Sequence, residues 1–176
     1  NIMKGFKKLI FLSLLVSIGL ALSVIESLMP VPFIAPGAKL GLSNIVILIT
    51  LVLFGLKEAL TVGVLKSFVF TLVTGRISSL FYSLAGSILS CIFMYIVYKN
   101  FSKIFSLIGV SIFGAIAHNF AQVLVASLTM SNFRIFSYYP ILLLTGLFTG
   151  YFVGLASIFI KKNLDKSFNN IFLSKN

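Results

Sequence analysis

The chain has 176 residues, 59% of them hydrophobic and 10% charged, with a net charge of +11 and a mean hydropathy of +1.14. That composition excludes a soluble domain of this size. At about 20 apolar residues per bilayer crossing, the length holds roughly six helices with short loops and no extramembrane domain. The single cysteine, Cys91, excludes an internal disulfide and a cysteine metal site, and the basic excess reads as membrane topology rather than nucleic-acid binding.

The expected fold is all-α, a six-helix transmembrane bundle forming one domain over 1–176, with spans near 9–29, 40–55, 58–75, 79–98, 104–130 and 138–160. The start, KGFKKLIFLSLL, has the charged-then-apolar order of a signal peptide, and Ala21-Leu22-Ser23 faintly resembles a cleavage site. The apolar run continues to Met29, so a retained first span is expected. Ser13, Ser17 and Ala21 follow one another at intervals of four, a strip that lets another helix approach closely, whether within the chain or from a second protein. Glu26 lies at the far end of this span. The next stretch, Pro30 to Asn44, carries Pro30, Pro32, Pro36 and Gly37 and is not helical. Apolar through Phe33 and Ile34 and charged once at Lys39, it reads either as a lid or pocket wall or as a connector among the headgroups.

The second span is short and carries Asn44 near its start, and a hairpin at Gly55-Leu56-Lys57 leads into the third, which opens with Glu58. Lys66, near the middle of the third span, is the most anomalous residue of the chain, because a lysine at the bilayer centre costs about 2.5–3.5 kcal/mol on insertion scales. Snorkelling, pairing with Glu26 or a carbonyl, and a cavity-facing cation that meets an anionic ligand are all open readings. Arg76 falls in the next loop. The fourth span is small-faced through Ser83, Ala85, Gly86, Ser87 and Ser90. In the fifth, His118 and Gln122 share a helix face at i, i+4, with Asn119 about 100° round the axis. Interhelical hydrogen bonding accounts for them as well as a ligand does. After Arg134, Tyr138 and Tyr139 suit the interfacial aromatic belt. Gly146, Gly150 and Gly154 in the sixth span form a packing face.

Charge sets the topology. Lys4, Lys7, Lys8, Lys57, Lys99, Lys103, Lys161, Lys162, Lys166 and Lys175 fall on one side of these spans, and Lys39, Arg76 and Arg134 on the other. Basic residues concentrate in cytoplasmic flanks, so both termini are expected in the cytoplasm of a multi-pass protein of the bacterial plasma membrane. Glu26, Asn44, Arg76, His118, Asn119, Gln122 and Arg134 then project to the outer half or to outer loops, with Lys39 in the outer loop and Lys66 near the middle, the distribution expected of an outward-facing, cationic pocket for a small anionic ligand. Enzyme chemistry is not expected, since Glu26, Glu58 and Asp165 are the only acidic residues. No two of them lie close enough in sequence to seat catalytic magnesium. No cofactor is expected either, and neither a metal nor a nucleic-acid partner. The partners foreseen are a ligand arriving from outside and membrane lipid.

The runs GAKLGLSNIVIL, SSLFYSLAGSILS and IGVSIFGAIAHNFAQVLVA resemble the small bacterial membrane proteins labelled heptaprenyl diphosphate synthase component I, also called the Gx transporter family. Their size and layout are similar to the S components of energy-coupling factor transporters. That similarity implies capture of a vitamin or cofactor precursor outside, and passage through a transmembrane scaffold driven by two ATPases. Ser13, Ser17 and Ala21 are the corresponding scaffold-facing candidates, two of them serine where alanine is usual. The resemblance also admits a membrane component of flavin- and quinone-linked electron transfer, or a non-catalytic membrane partner of a prenyl diphosphate synthase.

Overall fold

The computed structural model describes residues 2–29 and 40–168. Six α-helices follow one another: α1 (Ile2–Leu28), α2 (Asn44–Phe54), α3 (Leu56–Thr74), α4 (Ile77–Phe101), α5 (Leu107–Thr129) and α6 (Tyr139–Phe168), with a 3-10 stretch over Phe133–Tyr138. No strand occurs among the described residues. The loop containing Lys39 and the end of the tail with Lys175 lie outside them.

Four segments are long and apolar enough to cross a bilayer: Gly5–Leu28, Ile77–Phe101, Leu107–Thr129 and Phe133–Leu164. The expected second span contracts to the 11 residues of α2, about 16 Å at 1.5 Å per residue. Two glycines cut it short. Gly41 (φ +88°) turns the chain before it, and Gly55 (φ +97°) ends it and is itself the whole break before α3, in place of a three-residue hairpin. The third helix has 19 residues, but Lys57, Glu58 and Lys66 interrupt its apolar character. The described residues therefore form six helices, of which four have full spanning character.

Short as it is, α2 covers the depth of α1. The Phe54 ring lies 5.7 Å from that of Phe11, while the turn before α2 meets Glu26 fifteen residues further along α1, about 22 Å away. Helix α2 is also the axis of the bundle, touching each of the other five helices, with every residue from Val46 to Leu51 buried. The others stand round it in the order α1, α3, α4, α5, α6. The ring does not close: α1 and α6 make no contact among the described residues.

Small residues set the seams. A Cβ on Gly150 or Gly154 of α6 would stand 2.7 and 2.5 Å from the Cα atoms of Ile112 and Ile108 of α5, so the glycine ladder is the packing face its spacing predicts. Between α3 and α4, Ser67 and Ser83 share a hydrogen bond of 2.8 Å. Pro140 stands in the first turn of α6, where its missing amide proton costs nothing.

The two ends of the bundle differ in charge. At the end where α1 begins, Lys8 pairs with Glu58 at 2.5 Å and lies over the Phe54 ring. The helix directions bring Lys57, Lys99, Lys103, Lys161 and Lys162 to the same end. Arg76 and Arg134 mark the other end, where Tyr82 of α4 meets Thr129 of α5 at 3.4 Å.

Candidate functional site

The most polar part of the interior lies towards the end away from the lysines and centres on the turn leading into α2. Glu26, 2% exposed, accepts hydrogen bonds from the amide of Gly41 and, at 3.2 Å, from that of Leu42. A carboxylate is favoured there, since the amides before a helix form the positive end of its dipole. Gly41 is needed twice over. Its left-handed φ is one that side chains resist, and a Cβ would stand 3.0 Å from Asn44 Nδ2 and 3.1 Å from His118 Cδ2.

Lys66 is 1% exposed. Its stem passes over Gly19 of α1, where a Cβ would lie 3.0 Å from the lysine Cδ, and its ammonium donates to Ser43 Oγ at 2.7 Å. From the other side His118 rests on Gly86 of α4, whose Cβ would intrude to 2.5 Å of the imidazole, and its Nε2 meets Gln122 Nε2 at 2.9 Å. Asn44 lies with the His118 ring beside Gly41. It is 4% exposed, and neither its amide oxygen nor its amide nitrogen has a hydrogen-bond partner.

Of the residues expected at a ligand site, Glu26, Asn44, Lys66, His118 and Gln122 are brought together. Two others go elsewhere. The side chain of Asn119 donates to the carbonyl of Leu142 at 2.8 Å and packs on Gly146, which makes it an α5–α6 contact. Arg76 is exposed in the turn between α3 and α4, and Lys39 lies outside the described residues. Sequence reasoning missed Gly41, Leu42, Ser43 and Gly86. Three act through their backbone or through a lack of side chain, and Ser43 shows its role only once Lys66 is beside it. The motif GLSN, directly before the apolar run of α2, was the one available signal.

The strip Ser13, Ser17 and Ala21 is exposed, on the side of α1 turned away from α2 and α3. The acidic residues are spread out. Glu58 sits beside Lys8 and Glu26 beside Gly41, eighteen residues apart along α1 and so about 27 Å. The described residues hold no group of three or more His, Cys, Asp or Glu side chains that could bind a metal.

No curated protein and no solved structure matches the chain. The family model described as heptaprenyl diphosphate synthase component I matches residues 15–160, including α2 to α5 entirely and every described member of the polar cluster. The chain belongs to that family, membrane-associated component I of heptaprenyl diphosphate synthase.

Proposed function

We propose that the chain is a non-catalytic membrane component that captures a small anionic molecule, a vitamin or cofactor precursor, in its polar cluster and presents it to a transmembrane scaffold. The observation that carries this reading is Asn44. A buried amide with neither atom bonded costs about 1–3 kcal/mol for each group left unsatisfied, and a ligand offering a donor and an acceptor offsets that cost. Lys66 supplies the positive charge. Glu26 already occupies the amides before α2, so the ligand's anionic group falls to the ammonium, and its neutral polar groups to Asn44 and His118.

With the lysine-rich end in the cytoplasm, the cluster faces the outer half of a bacterial plasma membrane. The exposed strip Ser13, Ser17 and Ala21 is then free to meet a scaffold, as in S components of energy-coupling factor transporters, with ATPase subunits behind it. A second reading, favoured by the family description, makes the chain the membrane partner of a catalytic prenyl diphosphate synthase subunit. The wide separation of Glu26 and Glu58 agrees with a non-catalytic role in both.

A thermal-shift screen of small carboxylates and phosphates on the purified protein tests the first reading. A ligand at a hundred times its Kd stabilises by about 2.7 kcal/mol, and that shift should vanish in Lys66→Met. Glu26→Gln separates site from scaffold. If Lys66 serves only to pair with Glu26, both variants lower the melting temperature and neither changes a ligand-induced shift.

A further inference from the structure

Asn44 is not the only buried side chain near the turn into α2 whose polar atoms lack a hydrogen-bond partner: the hydroxyl of Ser23 on α1, 1% exposed, lacks one too. A serine or threonine inside a helix can return its hydroxyl to the carbonyl four residues back, as Thr50, Ser67, Ser127 and Ser157 do here. Ser23 does not. It stands one turn beyond Gly19, on which the Lys66 stem rests, and three residues before Glu26, so it shares the face of α1 that meets Lys66 and the turn into α2.

Charge limits what can join these groups. Gln122 offers its amide nitrogen to His118 Nε2 at 2.9 Å. An amide nitrogen only donates, so that ring nitrogen accepts and the imidazole is neutral. The described cluster therefore holds one cation, Lys66, and one anion, Glu26, whose charge is served by the amides before α2. A phosphate monoester, with a charge of about −1.5 to −2 at pH 7, exceeds what one ammonium can match, and the excess would be buried at a cost. It would also lack its usual cradle, because Glu26 already holds those amides. A carboxylate carries the single charge that one ammonium matches, and Ser23 adds a hydroxyl donor on the same side.

The amide of Asn44 presents an acceptor and a donor side by side. Its complement is a group with an N–H beside a C=O, the edge of a lactam or ureide, which makes two parallel hydrogen bonds to it as the edge of adenine does to asparagine. A lone carbonyl or ether oxygen meets only one of the two atoms and leaves the other buried without a partner. We propose that the ligand is a small monocarboxylate carrying such an amide edge, its carboxylate on Lys66 and Ser23 and its lactam or ureide on Asn44. This rests on the capture reading of the same cluster and narrows it, since phosphates, and carboxylates without the edge, are rejected.

Calorimetric titration of the detergent-solubilised full chain with matched probes tests it: pyroglutamate against cyclopentanecarboxylate, dihydroorotate against cyclohexanecarboxylate, and pyroglutamate against the phosphonate that replaces its carboxylate. In the first two pairs the probe with the amide edge should bind about tenfold to a hundredfold tighter, the effect of one bidentate pair. The phosphonate should bind about tenfold more weakly than pyroglutamate. Asn44→Leu should erase the preference for the edge without lowering the melting temperature, whereas Ser23→Ala should weaken both members of a pair together. Equal binding within the carbocyclic pairs, tighter binding of the phosphonate, or a preference that survives in Asn44→Leu would each overturn the proposal. The comparison in the unaltered protein decides even where Asn44→Leu fails to accumulate. Binding of the phosphonate or of an edge-free carboxylate in preference, lost in Lys66→Met, would remove the amide edge and leave the capture reading standing. No binding by any probe overturns the proposal, and if the purified protein also releases no anionic species the capture reading falls with it.

Discussion

Asn44 and Gly86 show how single residues make this interior. Replacing Asn44 with leucine exchanges a buried amide without partners for an apolar side chain of similar size, so the melting temperature should rise, by about 1–3 kcal/mol of stability, while ligand-induced stabilisation is lost. A fall in melting temperature would mean that the amide is satisfied in the resting protein. Gly86→Ala pushes a methyl into the His118 ring, which is itself packed against Gly41 and bonded to Gln122. Overpacking of this kind costs about 1–3 kcal/mol. Gly5→Ala, which meets nothing within 4 Å, is the matched control and should leave stability unchanged or slightly raised. Equal melting temperatures for the two alanine variants would contradict the packing described. At this scale much of the polar cluster was readable from sequence. Depth along the spans picks out Glu26, Asn44, Lys66, His118 and Gln122, because polar groups inside a bilayer must face protein or water. Depth does not give rotation. In a helix apolar on nearly every side no moment fixes which way Asn119 points, and only the packed α6 reveals that it bonds the carbonyl of Leu142.

The helices themselves obey two kinds of constraint. Against α5, α6 is held at backbone contact, so Gly150→Ala and Gly154→Ala cannot be relieved by moving a side chain. Both should destabilise more than Gly86→Ala, as read from denaturation in detergent, and should force α5 and α6 apart. Helix α1 is held more loosely, touching α2 and α3 alone among the described helices. Its strip of Ser13, Ser17 and Ala21 is exposed, so Ser17→Leu should leave the melting temperature unchanged and abolish copurification with a scaffold protein. Loss of stability in that variant would place the strip inside the fold. The glycine ladder was legible because small residues at helical spacing have one common use in membranes. The length of α2 was not. The apolar run from Ile45 to Phe54 gives no sign that Gly41 turns the chain before it, and the turn exists because Glu26 takes the two amides there.

For the molecule as a whole, an incomplete ring of helices round a short axial helix holds a polar cluster towards the end away from the lysines. The six-helix, all-α bundle was legible from composition and from the spacing of charges. The central position of α2 was not, since which helices touch is a property of the assembled chain. The orientation expected from charge can be checked directly, because Cys91 is fully buried and gives no background. A cysteine placed at Asn132 should react with an impermeant reagent applied to intact cells, and one placed at Lys103 should not. The reverse pattern would turn the bundle over and put the polar cluster towards the cytoplasm.

Ligand capture by the polar cluster is tested most directly by mass spectrometry of the small molecules released from the protein purified in mild detergent, beside those released from Lys66→Met. The account predicts one small anionic species in the wild-type sample, near one per chain, and its loss from the variant while the melting temperature holds or rises. The same species in equal amount from both proteins, or lipid alone from both, would contradict it.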